Sequence, residues 1–316
     1  MPLNYLKTAF LLAVLTGIFV ALGGFVGGEL GLGIAFLIAL VMNGFAYWKS
    51  DTMVLRMFKA VEVDAQSGGQ FYAIVADLAR RAELPMPRVY VMPSPQPNAF
   101  ATGRNPKHAA VCASTGLLDM LSPQEVSGVI AHELAHVKSR DTLTMMIAAT
   151  IGGAISMIAN WLQITAIFGS RPSNKSRLAT FAAMLLAPFA AMLVQMAISR
   201  SREYQADRFG GMLTGNPAWL ASALAKIHDA VRRIPNPTVG NVPATAHLFI
   251  MNPLSSSSLA SLFTTHPSTE SRIAALQKLA AEMGVAFDPA SAGQGRVAVN
   301  LPTSEAPGNM PRGIAG

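Results

Sequence analysis

Cysteine occurs once in the 316 residues, at Cys112. This excludes an intrachain disulfide and a cysteine-built metal site, and it suits a reducing compartment. Charge is scarce as well, with Asp, Glu, Lys and Arg making up 13% of the chain against about 25% in ordinary soluble domains. The charges also leave long gaps. No ionisable side chain except tyrosine falls between Lys7 and Glu29, Glu29 and Lys49, Asp141 and Arg171, or Arg177 and Arg200. Each gap can carry a helix across a hydrocarbon core of ~30 Å, so spans are expected near 10–26, 32–48, 144–168 and 179–198. Because the spans have no internal charge, a transporter or channel is disfavoured. The formal net charge of +7 forms no basic stripe interleaved with aromatics, so nucleic acid is not an expected partner. The basic residues cluster at span ends, where anionic lipid headgroups are the simpler partner.

Lys7 precedes the first run, Glu29 stands alone in the turn, and Lys49, Arg56 and Lys59 follow the second. An excess of Lys and Arg on the cytoplasmic side makes this pair a hairpin with both ends in the cytoplasm. A cleaved signal peptide fits less well, since its basic region would hold one Lys and a second span follows after a short turn. Glycines at 23, 24, 27 and 28 suit either close helix packing or a flexible hairpin end. The second pair is less regular. Arg171, Lys175 and Arg177 lie between its runs and Arg200 and Arg202 follow it, which leaves two full crossings and a re-entrant or surface-lying pair open.

Between the two pairs stands Ala131-His132-Glu133-Leu134-Ala135-His136, an H-E-x-x-H pattern. On a helix, His132 and His136 project from one face and can share a metal ion, with Glu133 beside them as a general base for water. Leu121-Ser122-Pro123-Gln124-Glu125 supplies the helix start: Ser122 as N-cap, Pro123 in the first turn and Glu125 as the capping-box acid. Val126, Val129, Ile130 and Leu134 recur at helical spacing, so this helix is largely buried. An ordinary helix with two core histidines is the alternative, but burying two His and a Glu together without a metal is costly. Zinc is therefore the expected metal, one per chain, with an open position for substrate. Downstream, Glu203 and Asp207 in Ser201-Arg202-Glu203-Tyr204-Gln205-Ala206-Asp207 are four apart and share a helix face. Glu203 is read as the third ligand and Asp207 as a carboxylate that orients a ligating His. A solvated helix end is the competing reading of that pair.

The boundaries follow. Residues 1–50 form an N-terminal transmembrane hairpin and 51–141 the first part of a catalytic domain with the zinc helix. Residues 142–198 form the second transmembrane pair, 199–287 the second catalytic part, and 288–316, rich in Gly, Pro and Ala, a disordered tail. The fold class is mainly α with a small β-sheet, assembled around transmembrane helices. A helix is expected over 69–84, strands over 88–92, 98–103 and 108–113, and a further helix over 217–234. An extended peptide can add to the edge of such a sheet, which makes Asn98 and Phe100 candidate substrate-groove residues; a buried hairpin core accounts for Phe100 equally well. The loop from 235 to 258 is apolar in part and reads as a flap over the cleft or a membrane-surface patch.

His132–His136, the S-R-E-Y-Q-A-D segment at 201–207 and T-H-P-S-T-E-S-R-I at 265–273, in a chain with four apolar runs, resemble the HtpX-type membrane zinc metalloproteases of bacteria. The N-A-F-A-T-G stretch at 98–103 looks like that family's strand ahead of the metal helix. More distantly, the chain is similar to the CAAX prenyl proteases. The resemblance implies a gluzincin-type domain facing the cytoplasm from a bacterial inner membrane, a heat-shock link, and cleavage of misfolded or damaged membrane proteins. It implies His132, His136 and Glu203 as zinc ligands, Glu133 as general base and Asp207 behind a ligand. From the prenyl proteases it further implies His266 and Arg272 near the site, His266 as an oxyanion donor and Arg272 as the holder of a carboxylate. A narrow-specificity membrane protease and a non-catalytic zinc-binding scaffold are the alternatives.

Overall fold

The computed structural model of the chain describes residues 2–145, 147, 200–234, 250 and 267–300. The expected spans at 144–168 and 179–198 and the loop at 235–258 therefore lie almost wholly outside the described residues. Helix α1 runs from Pro2 to Met57 and doubles back at Gly28, whose φ of 59° and ψ of −142° suit a residue without a Cβ. The two arms touch: Asn43 Nδ2 donates to Thr16 Oγ1 at 2.8 Å and to the Leu12 carbonyl at 3.3 Å. The second arm, Gly28–Lys49, is long and apolar enough to cross a membrane. Leu30, Ile34, Leu37, Val41, Phe45 and Trp48 on it stand exposed.

Past α1 the chain forms β1 (Val61–Val63), α2 (Gly69–Arg81), β2 (Arg88–Met92), β3 (Ala99–Gly103) and β4 (Ala109–Ser114). The sheet order is β1-β2-β4-β3, with β2 and β4 parallel and the other neighbours antiparallel. Alternation along each strand divides the two faces. Val89, Val91, Ala99, Ala101, Val111 and Ala113 join the main core under the helices. Tyr90, Met92, Phe100, Ala110 and Cys112 face the other way, onto Val54, Leu55 and Phe58 at the end of α1. Phe100 thus belongs to a core, with its ring 5.7 Å from that of Phe58, and it is not a groove residue.

After a short α3 (Thr115–Met120), α4 (Pro123–Ser139) begins in the expected capping box, with Ser122 and Glu125 exchanging both side-chain bonds. α5 (Arg200–Thr214), α6 (Pro217–Val231) and α7 (Thr269–Met283) follow. α4 is the central helix, packed against α2, α5, α6 and β3. Glu125 also serves α6, accepting from Ser222 Oγ at 2.6 Å and pairing with Lys226 Nζ at 2.7 Å. These helices and the sheet make up the expected class, mainly α with a small sheet.

The expectation of disorder from 288 fails for residues 288–300. A 3-10 turn at Pro289–Ala292 lies against α6, and Ser122 Oγ donates to the Ala292 carbonyl at 2.6 Å. Val297 N donates to Leu118 O at 2.8 Å and Asn300 N to Ser67 O at 2.7 Å. This strap is held by backbone bonds to distant residues and by the buried Ala292 and Val297, and it needs no side-chain periodicity of its own. Residues 301–316 lie outside the described residues.

Candidate active site

Helical spacing turns His132 and His136 to one side of α4. Their rings meet edge to face with centroids 4.9 Å apart, and their Nε2 atoms are 3.3 Å apart. α5 crosses this helix closely at Gly210, where an added Cβ would sit 3.1 Å from His132 N. The crossing carries Glu203 and Asp207, one turn apart, over the two imidazoles. Glu203 Oε2 is 3.8 Å from His132 Nε2 and Oε1 is 3.7 Å from His136 Nε2. One donor atom from each of the three residues lies within 4.8 Å of the others, and all three side chains are buried.

The outer ring nitrogens face carboxylates. His132 Nδ1 is 2.9 Å from Asp207 Oδ1, and Asp207 accepts from Arg272 twice, Nε to Oδ2 at 2.8 Å and Nη2 to Oδ1 at 2.6 Å. Arg272 Nη2 also lies 3.3 Å from His132 Nδ1. A guanidinium only donates, so the shorter contact decides: Nδ1 carries its proton toward Asp207, which accepts from both. His136 Nδ1 lies 3.5 Å from Asp141 Oδ2, and Asp141 is paired with Arg202.

With a metal bound and both Nδ1 protons directed outward, the two Nε2 lone pairs and the Glu203 carboxylate would converge on it. Three electron-rich donors so placed repel unless a cation joins them. Tetrahedral zinc with bonds of about 2.0–2.2 Å holds neighbouring donors roughly 3.3–3.6 Å apart, close to the 3.3, 3.7 and 3.8 Å spacings here. The donor set therefore fits zinc, and the His-His-Glu arrangement is of the gluzincin type.

Glu133 sits beside this cluster, 5% exposed, and its Oε2 accepts from Ala101 N at 2.9 Å. Burial pushes its carboxyl above the ordinary value, against the pull of His132 and His136. At Asp207 burial acts in the same direction, but the Arg272 guanidinium outweighs it and holds the carboxyl below its usual range. Burial would lower His136; the Asp141, Glu203 and Glu133 carboxylates overcome it and push the imidazole up to about 9. The carboxylates facing the ring thus favour positive charge at His136.

The structure thus brings His132, Glu133, His136, Glu203, Asp207 and Arg272 together. Asn98 is buried at the entry to β3, where Oδ1 accepts from Ile250 N at 3.3 Å and Nδ2 finds no acceptor among the described residues. His266 lies outside the described residues. Asp141, Arg202 and the Ala101 amide are the parts that the sequence reading missed. Spacing offers one signal for Asp141, five residues after His136; a backbone amide has none.

Residues 65–280 match the model of peptidase family M48. Among solved structures the chain is similar to the crystal structure of S. mikatae Ste24p, at 16% identity and a TM-score of 0.45, over 86% of this chain and 65% of that one. The chain thus spans a little under two thirds of that protein's length. The family match takes in well over half of the chain and every residue of the cluster around His132, and it agrees with the resemblance to HtpX-type enzymes. This chain belongs to the M48 metallopeptidases.

Proposed function

We propose that the chain is a zinc-dependent endopeptidase of a bacterial inner membrane, its site facing the cytoplasm, that cleaves misfolded or damaged membrane proteins. The observation that carries this reading is the contact between Glu133 Oε2 and Ala101 N at 2.9 Å. It holds a general base at once beside the metal donors and on the edge of β3 that has no strand neighbour among the described residues. An extended substrate brings its backbone to such an edge.

His132, His136 and Glu203 would hold the zinc. Bound there, zinc supplies Lewis acidity, acidifying water and polarising a carbonyl. Glu133 Oε2 takes the proton of the attacking water and returns it to the leaving amine. Asp207 and Arg272 keep the His132 Nδ1 proton in place, so that Nε2 stays a lone-pair donor. Asn98 Nδ2 offers a donor to a substrate carbonyl, and His266 is assigned to the oxyanion.

Membrane attachment is supported by the α1 hairpin, whose exposed apolar arm suits lipid, and the cytoplasmic side by Lys49 at the end of that arm and Arg56 and Lys59 beyond it. The test is Glu133→Gln in the full chain purified in detergent. Zinc content and thermal unfolding should match the wild type while cleavage of unfolded protein disappears, because an amide cannot take the proton. Wild-type turnover by this variant would sink the mechanism, and a wild-type chain that binds zinc but cleaves nothing would favour the scaffold reading.

A further inference from the structure

We propose that Asp141, held by Arg202, is a positioning residue for His136, the counterpart of Asp207 and Arg272 behind His132. The proposal rests on the reading of His136 as a zinc ligand.

The backbone at the end of α4 explains how Asp141 reaches the ring. Arg140 adopts the left-handed conformation, with φ 58° and ψ 36°. Asp141 N then donates to the His136 carbonyl at 3.0 Å and Arg140 N to that of Val137 at 3.2 Å. This pair of bonds is the Schellman closure, which folds the residue after the left-handed one back against the residue five positions earlier. An apolar contact frequently accompanies this closure. Here the two positions hold a carboxylate and an imidazole, and Oδ2 lies 3.5 Å from His136 Nδ1. The turn is made by arginine, where glycine would adopt the conformation without strain, so the closure exists despite a local cost.

Burial and charge point the same way. His136 and Asp141 are 5% and 4% exposed, and a buried carboxylate needs a partner. Arg202, from the first turn of α5, is that partner. A ligating His usually gives its second N–H to such an acceptor, which fixes the tautomer and the plane of the ring. The same ion pair ties the chain just before the third apolar run to the chain just after the fourth, directly at the metal donors.

The test uses the full chain in detergent, with Asp141→Asn, Asp141→Ala, Arg202→Ala, the Asp141→Ala/Arg202→Ala double variant and His136→Ala. Zinc affinity is read by chelator competition at fixed pH, ring geometry by the visible spectrum of cobalt(II) in place of zinc, and fold by thermal unfolding of the metal-free protein. Asp141→Ala should weaken zinc binding roughly 10–100-fold and alter the cobalt spectrum. Asp141→Asn should move both in the same direction by less, and it decides the matter if the alanine variant does not fold. Arg202→Ala should weaken binding too, and the double variant should bind no worse than Asp141→Ala, since Arg202 acts through Asp141. Unchanged zinc affinity and an unchanged cobalt spectrum in the Asp141 variants, even with a lowered unfolding temperature, would overturn the proposal and leave Asp141 as a helix terminator. Unchanged affinity in His136→Ala would instead refute the ligand reading beneath it.

Discussion

Arg272 is the largest fully buried side chain among the described residues, and its charge is spent on Asp207. Arg272→Ala should therefore cost about 3–5 kcal/mol, the usual penalty for stranding a buried partner, read as a lower unfolding temperature of the metal-free protein. Arg272→Lys keeps the charge but loses the two-pronged geometry. It should retain most of the fold and bind zinc more weakly. An alanine variant as stable as wild type would show that Asp207 is held by something else. At this scale legibility followed chemistry. His132 with His136, and Glu203 with Asp207, could be paired from sequence because four-residue spacing on a helix dictates a shared face. Asp141 could not be linked to His136 so simply, because the contact depends on a left-handed residue that no side-chain pattern announces. Ala101 was hidden for a different reason: its contribution is an amide, and every residue but proline has one.

Helix α4 is legible at its start and opaque at its end. Ser122, Pro123 and Glu125 spell the capping box, whereas Ser139-Arg140-Asp141 contains no glycine to mark the stop. Arg140 supplies the test at this scale. Valine, branched at Cβ, cannot adopt the left-handed conformation without strain, so Arg140→Val should destabilise the protein by about 1–3 kcal/mol. Arg140→Gly should keep the closure and the unfolding temperature at or near wild type. Equal losses in both variants would mean that the arginine side chain, and not the backbone turn, matters there. The strands obey a similar rule. β2, β3 and β4 have enough residues to show turn boundaries and apolar content, while β1 offers only Val61-Glu62-Val63 and is fixed by pairing with β2. Phe100 could be placed on a strand but not on a face, because only the packing of α1 against the sheet reveals which side is covered.

At the scale of the whole molecule, sparse charge marked the apolar runs, and the turn at Gly28 joins the first two as a helical hairpin. The strap at 288–300 escaped because its composition resembles that of a free tail and its anchors are backbone bonds to Leu118 and Ser67 and two isolated buried side chains, Ala292 and Val297. The family match ends at residue 280, so this strap extends beyond the shared domain. The metal site unites pieces separated by the second pair of apolar runs, with His132 and His136 before it and Glu203 after. The central claim, that these pieces form one zinc-dependent peptidase site, is tested most directly by stripping the full chain with chelator and restoring zinc stepwise while following cleavage of unfolded protein. The account predicts no cleavage without metal and a linear return that saturates at one zinc per chain. Cleavage that persists in the metal-free protein, or that never returns as zinc binds, would contradict it.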